Sequence, residues 1–168
     1  MIRRGDIVEF RRKGFVSFIL GGILRLLEPQ WDGWGWHLGI ATDYKDGQIW
    51  ILEALSGGVV ENCYQWEELE KRVRVYRWFE HIPEKRKFNR IKQKYLGAPY
   101  DVKAYFGVVF WYIIKKLTGR AFRLHDRQFM CWELVSVVCR ELGKPLQDIW
   151  EYPLISEIIK KLEQYGSP

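Results

Sequence analysis

Residues 36–55 read WHLGIATDYKDGQIWILEAL, and this stretch decides the fold. Trp36–Asp43 alternates in the period-two manner of a strand with two unlike faces. Lys45-Asp46-Gly47 is a turn signal. Gln48–Leu55 alternates again, so residues 36–55 predict an antiparallel hairpin. Trp36, Leu38 and Ile40 form its core-facing set, while His37, Gly39 and Ala41 share the opposite face, with open space expected beside the imidazole.

The flanking segments extend this reading. Gly5–Phe10 (GDIVEF) is a short strand with Gly5-Asp6 as its turn, and residues 14–27 are an apolar helix closed by Glu28-Pro29. Trp31–Gly35 (WDGWG) is a glycine-rich loop. Beyond the hairpin, Gly57-Gly58 turns the chain into a short strand at Val59–Glu61. Arg72–Phe79 (RVRVYRWF) alternates over eight residues as a further strand. After Pro83 the pattern becomes helical: Glu84–Leu96, then residues 101–118. A third helix has Asp126 as N-cap and Gly143 and Pro145 as stops, and a last one covers 153–164. Strands first and helices after them define an α+β fold. No linker or repeat divides the chain.

The 168 residues carry 27 Lys and Arg against 21 Asp and Glu, a net charge of +6. They are 48% hydrophobic and 29% charged, with nine each of Trp, Tyr and Phe. This balance excludes a disordered or fibrous chain and suits one soluble, basic, aromatic-rich domain. Cys63, Cys131 and Cys139 are too few and too scattered for a disulfide framework. No Cys/His spacing fits zinc, so no metal is expected. The apolar runs at 14–27 and 104–114 are shorter than the ~20 residues that span a bilayer. They read as buried helices, with contact to a lipid surface or a greasy substrate as the alternative. The basic Arg11-Arg12-Lys13 precedes an apolar run, but no small-residue cleavage site follows. A cytoplasmic location is the default expectation.

Between Lys71 and Lys94 there are ten Lys and Arg and only two Glu, a net of +8 on a body of net −2. The segment suits an anionic partner, or simply a solvated face. It lacks the aromatic–basic motifs of a specific nucleic-acid module.

Three residues suggest chemistry. Cys131 begins the apolar stripe Cys131, Leu134, Val135, Val138, Leu142, which places it in a helix's first turns, where the helix dipole favours thiolate. The same position also suits a small core residue. Cys139, two turns on, reads as core, and Cys63 lies in a loop-like stretch. His37 is the base candidate, ahead of His81 and His125. Glu53 falls in phase with the apolar Ile49, Ile51 and Leu55. A carboxylate there needs a partner, and His37 on the neighbouring strand is the nearest one. Together they describe a Cys131–His37–Glu53 triad of nucleophile, base and orienter.

The order His37, Glu53, Cys131 resembles the circularly permuted branch of the NlpC-type papain-like cysteine hydrolases, the YiiX-like group. The matching motifs are Gly5-Asp6-Ile7-Val8, His37-x-Gly39-Ile40, Glu53-Ala54, Gly58-Val59, Val75-Tyr76-Arg77, Gly97-x-Pro99-Tyr100-Asp101 and Cys131-x-Glu133-Leu134-Val135. The resemblance implies one domain over residues 5–164, with a small antiparallel sheet or barrel in the N-terminal half packed against helices in the C-terminal half. It carries over Cys131 as nucleophile, His37 as base and Glu53 as orienter, with Tyr100 as a cleft or oxyanion residue. Trp36 and Trp132 stand where the family often has small residues, which suggests an aromatic-walled cleft.

The expected activity is hydrolysis of an amide or ester through a Cys131 acyl-enzyme, with no cofactor. The substrate would be a peptide, such as a cell-wall peptide, or an acylated or lipid molecule, with peripheral membrane contact. The alternatives are an acyltransferase using the same thiol, and a non-enzymatic basic module that binds an anionic polymer through Lys71–Lys94.

Overall fold

The computed structural model describes residues 2–11, 34–101, 117–118, 129–146 and 155–165. The expected helices over 14–27 and 101–118, residues 31–33 of the glycine-rich loop, and His125 and Asp126 fall wholly or mainly outside them. Along the chain the strands are β1 (Ile7–Arg11), β2 (Gly35–Lys45), β3 (Gln48–Leu55), β4 (Gly58–Gln65) and β5 (Val73–Tyr76). The helices are α1 (Trp66–Leu69), followed by a 3-10 turn at Glu70–Arg72, then α2 (Lys85–Tyr95), α3 (Cys131–Glu141) and α4 (Ile155–Tyr165). The class is α+β.

The hairpin forms as its sequence predicts. Lys45 pairs with Gln48, which leaves Asp46 and Gly47 as a two-residue loop. Their φ angles are 53° and 77°. Such a loop needs positive φ at both central positions to match the strand twist, and Asp-Gly tolerates it. A second tight turn, Ser56-Gly57, joins Leu55 to its partner Gly58. The sheet order is β4-β3-β2-β1-β5, every neighbouring pair is antiparallel, and the sheet is open at β4 and β5. Of the expected sheet or barrel, the sheet forms.

Two strands differ from their sequence expectation. The eight-residue run Arg72–Phe79 contracts to Val73–Tyr76, because it pairs only with Ile7–Phe10 of the short β1 and Arg72 belongs to the 3-10 turn. By contrast β4 runs on to Gln65, because β3 offers a partner for every residue from Gly58 onward. Cys63 therefore lies in a strand, not a loop.

Alternation gives the sheet two apolar faces. Ile7, Leu38, Ile40, Leu52, Ala54 and Val59 join the main core with α2, α3 and α4. From α3 come Leu134, Val135 and Val138, all fully buried. Burying a side chain of this size is worth about 1.5–3 kcal/mol, so this contact anchors α3 to the sheet. Val8, Ala41, Ile49 and Ile51 point the other way, into a smaller core with Ile2 and Leu69, bordered by Phe10 and Tyr64.

Gly39 sits on this second face, opposite Glu53. A Cβ there would lie 2.5 Å from Ile51 Cγ2, 3.2 Å from the Leu52 carbonyl oxygen and 3.5 Å from Phe10 Cε2. The space beside His37 is therefore filled by its neighbours and is not open as expected. Gly39→Ala should destabilise the protein by about 1–3 kcal/mol through overpacking. Thermal unfolding would register this as roughly 2–4 °C for each kcal/mol at this chain length. Gly57→Ala, whose Cβ would meet nothing within 4 Å, should leave the melting temperature unchanged.

Candidate active site

The pairing of β2 with β3 brings His37 and Glu53 to the same face of the sheet. His37 Nε2 lies 2.8 Å from Glu53 Oε2. Glu53 is only 1% exposed, and a carboxylate so buried needs its lone pairs filled. The second oxygen, Oε1, accepts from Asn62 Nδ2 at 2.9 Å and from the Tyr64 hydroxyl. Both donors come from β4. Burial pushes the Glu53 carboxyl up, but the contacts with His37, Tyr64 and Asn62 outweigh it and hold the group below its ordinary value.

Cys131 is the first residue of α3, with Met130 as N-cap. The cap of the helix that carries the cysteine thus lies four residues after Asp126, the cap expected from sequence. Glu133 Oε2 accepts the Met130 backbone N–H at 2.9 Å and closes a capping box. As first helical residue, Cys131 stands where backbone N–H groups lack intrahelical acceptors and the dipole is positive.

The Cys131 thiol hydrogen-bonds to His37. Burial would pull the imidazole down. The charge and hydrogen bond of Cys131, joined by the hydrogen bond and charge of Glu53, overcome it and raise His37 to about 10. The three residues selected from sequence therefore form one continuous hydrogen-bonded series. Cys131 itself is 2% exposed, so only a small reagent would reach it readily.

The other selected residues are placed as follows. Tyr100 forms an isolated parallel bridge with Phe129, backed by Phe129 N–H to Pro99 O at 3.0 Å and Asp101 N–H to Phe129 O at 3.3 Å. The Pro-Tyr-Asp segment thus runs beside the chain that enters Cys131, and Tyr100 packs half-buried against the main core. Trp132, expected on a cleft wall, is 2% exposed and belongs to the main core. It is the second residue of α3. The side chain of Trp36 lies outside the described part. Cys139 is fully buried, and that burial pushes its thiol up. Cys63 is exposed, and so is His81.

Asn62 and Tyr64 were not anticipated. The signal for them was available: once Val60 is set opposite Glu53, alternation along β4 puts residues 62 and 64 on the carboxylate's face. The extent of β4 had to be known first.

The basic segment is partly neutralised within the fold. Lys85 meets Asp43 at 2.6 Å, Lys92 meets Glu61 at 2.9 Å and Lys94 meets Glu141 at 2.5 Å. Arg77 lies 3.8 Å from Asp6, while Arg74 lies 4.0 Å from Glu9 and 3.9 Å from Glu163. Half of the ten cations therefore face acids from other elements. Among the described residues, no helix is long and apolar enough to cross a membrane, and no group of three or more His, Cys, Asp or Glu is placed to hold a metal ion.

Comparison with protein-family models gave no match, and no curated protein matched the chain.

His37, raised by folding, adds stability in full below its ordinary 6.5 and loses it as pH rises through about 10. Glu53, depressed, adds stability above 4.5 and loses it as pH falls through its folded value. Imidazole NMR should show His37 holding its proton to about pH 10. In Cys131→Ala or Glu53→Gln one partner that raises the imidazole disappears while burial remains, so the titration midpoint should drop well below that value.

Proposed function

We propose that the chain is a cysteine hydrolase that cleaves amide or ester bonds through a Cys131 acyl-enzyme, on a permuted papain-like arrangement in which the base strands precede the nucleophile helix. The observation that carries this reading is the unbroken contact from Cys131 to His37 to Glu53, with the cysteine at the first position of a helix.

The chemistry follows from those positions. His37 Nε2 faces Glu53, which leaves Nδ1 for proton exchange with the thiol. With its proton on His37, the Cys131 sulfur attacks the substrate carbonyl carbon, and the carbonyl oxygen becomes an oxyanion. Backbone N–H groups at the start of α3 are the donors nearest to hand for that charge. As the tetrahedral species collapses, the C–N or C–O bond breaks and imidazolium gives its proton to the leaving group. A water then attacks the thioester with neutral His37 as base, which releases the acid and restores the thiol. Glu53 holds the ring and balances the imidazolium charge throughout.

The Phe10 and Tyr64 rings beside His37 give the site an apolar, aromatic flank. That flank agrees with an acyl group or apolar side chain next to the scissile bond. The neutralised cations, in turn, weaken the alternative of a module that grips an anionic polymer through Lys71–Lys94.

The test uses a Cys63→Ser background, to remove the exposed thiol, and a small electrophile. Iodoacetamide should alkylate one thiol at a pH of about 6.5, and Cys131→Ala should abolish this. His37→Ala should slow it on the order of 100-fold, through loss of the base that takes the thiol proton. With p-nitrophenyl acetate, mass spectrometry should find an acetyl adduct on Cys131 that decays with turnover. His37→Ala should cut turnover by about 10²–10⁴-fold. Labelling of Cys139 ahead of Cys131, or turnover that survives Cys131→Ala, would defeat the proposal.

A further inference from the structure

We propose that Asn62 and Tyr64 are positioning residues that clamp one oxygen of Glu53 so that the other stays aimed at His37. The inference draws its catalytic meaning from the triad proposed above, but its geometry and its test stand apart from catalysis.

The β3–β4 register sets Glu53 opposite Val60, Ile51 opposite Asn62 and Ile49 opposite Tyr64. Residues 49, 51 and 53 share one face with 60, 62 and 64. Asn62 is thus the diagonal neighbour of Glu53, within reach of a short amide. Tyr64 stands one pair further along, and its longer side chain reaches back to the same oxygen. Both donate to Oε1, while Oε2 lies 2.8 Å from His37 Nε2.

Satisfying a buried charge needs donors, yet it does not require this division of them. A carboxylate held by one bond can turn about its last side-chain torsion and present either oxygen. Two donors converging on Oε1 remove that freedom and reserve Oε2 for the imidazole.

A second contact ties the clamp to the base. The Phe10 ring packs against His37 at 5.2 Å between centroids and against Tyr64 at 5.9 Å. Imidazole and phenol therefore lean on the same wall. Burial and the Glu53 charge push the Tyr64 hydroxyl well above its usual range, so it remains a donor wherever the carboxylate is ionised. The titratable groups facing Glu53 are His37 from β2 and Tyr64 from β4, with Cys131 of α3 beyond His37.

The experiment follows the His37 imidazole signals toward acid pH in the wild type, Tyr64→Phe, Asn62→Leu and the double variant. In the wild type the inflection caused by protonation of Glu53 should lie below 4.5, the ordinary carboxylate value. Each single variant should move it upward by about one pH unit, a tenfold gain in proton affinity, and the double variant further. The acid limb of Cys131 alkylation should move with it.

Cooperative thermal unfolding establishes that each variant is folded. Where Asn62→Leu does not fold, Asn62→Ser, too short to reach the carboxylate, takes its place. Folded variants whose inflection and His37 signals match the wild type would overturn the proposal. Failure of the hydrolase reading looks different: Cys131 would be unreactive although the inflection moves. If Cys131 reacts as proposed and the inflection stays fixed, the clamp alone fails.

Discussion

A carboxylate with 1% of its surface exposed governs much of this molecule. Removing one partner from a buried charge typically costs about 3–5 kcal/mol, because the charge is left without compensation. Glu53 meets that demand with three contacts from two strands, His37 on one side and Asn62 and Tyr64 on the other. The contacts exist only if β2, β3 and β4 pair in one register. A slip of one residue would turn His37 and Asn62 to the opposite face and bring Leu38 to the charge in place of the imidazole. The polar cluster therefore specifies the register that the apolar alternation also favours. Gly39 is part of the same constraint, since Ile51 occupies the volume where its side chain would be.

The candidate site also joins two cores that the sheet otherwise keeps apart. His37 and Glu53 stand on the face of the smaller core, whereas Cys131 belongs to the main core, held by Leu134, Val135 and Val138. Packing against the sheet fixes the axis of α3, and the cap at Met130 with Glu133 fixes where the helix begins. Had the helix begun at Asp126, Cys131 would sit in its second turn, where its N–H is bonded within the helix and the dipole field is fading. Met130, whose own N–H is taken by Glu133, makes the cysteine the first helical residue.

The legible parts of the sequence were those with short-range chemical signatures. Asp46-Gly47 announces its hairpin, and Gln48–Leu55 has the same bounds in sequence and structure. Glu53 was conspicuous because a charge in phase with isoleucines demands an explanation, and the nearest one was correct in geometry: His37. What stayed hidden depends on long-range pairing. The length of β5 is set by β1, some 65 residues away, not by the alternation of Arg72–Phe79. Likewise β4 continues only because β3 lies beside it, so Cys63, Asn62 and Tyr64 acquired their places from a partner strand. The place of Trp132 likewise depends on packing. An indole next to a nucleophile suggests a cleft wall until the helix orientation shows it turned into the core.

The three cysteines show how far environment, more than residue type, decides chemistry. Cys63 is exposed on an edge strand, where Trp50 is the residue opposite. Cys139 is as deeply buried as any leucine around it, and loss of hydration drives its thiol toward the neutral form. Cys131 is nearly as buried, yet it differs in two ways: it opens a helix, and it contacts an imidazole that is itself charge-balanced by Glu53. Burial would silence a thiol standing alone. With an imidazole and a helix N-terminus beside it, the Cys131 sulfur has partners that a lone buried thiol lacks. What separates Cys131 from Cys139 is therefore not depth in the protein but the partner that Glu53 holds in place.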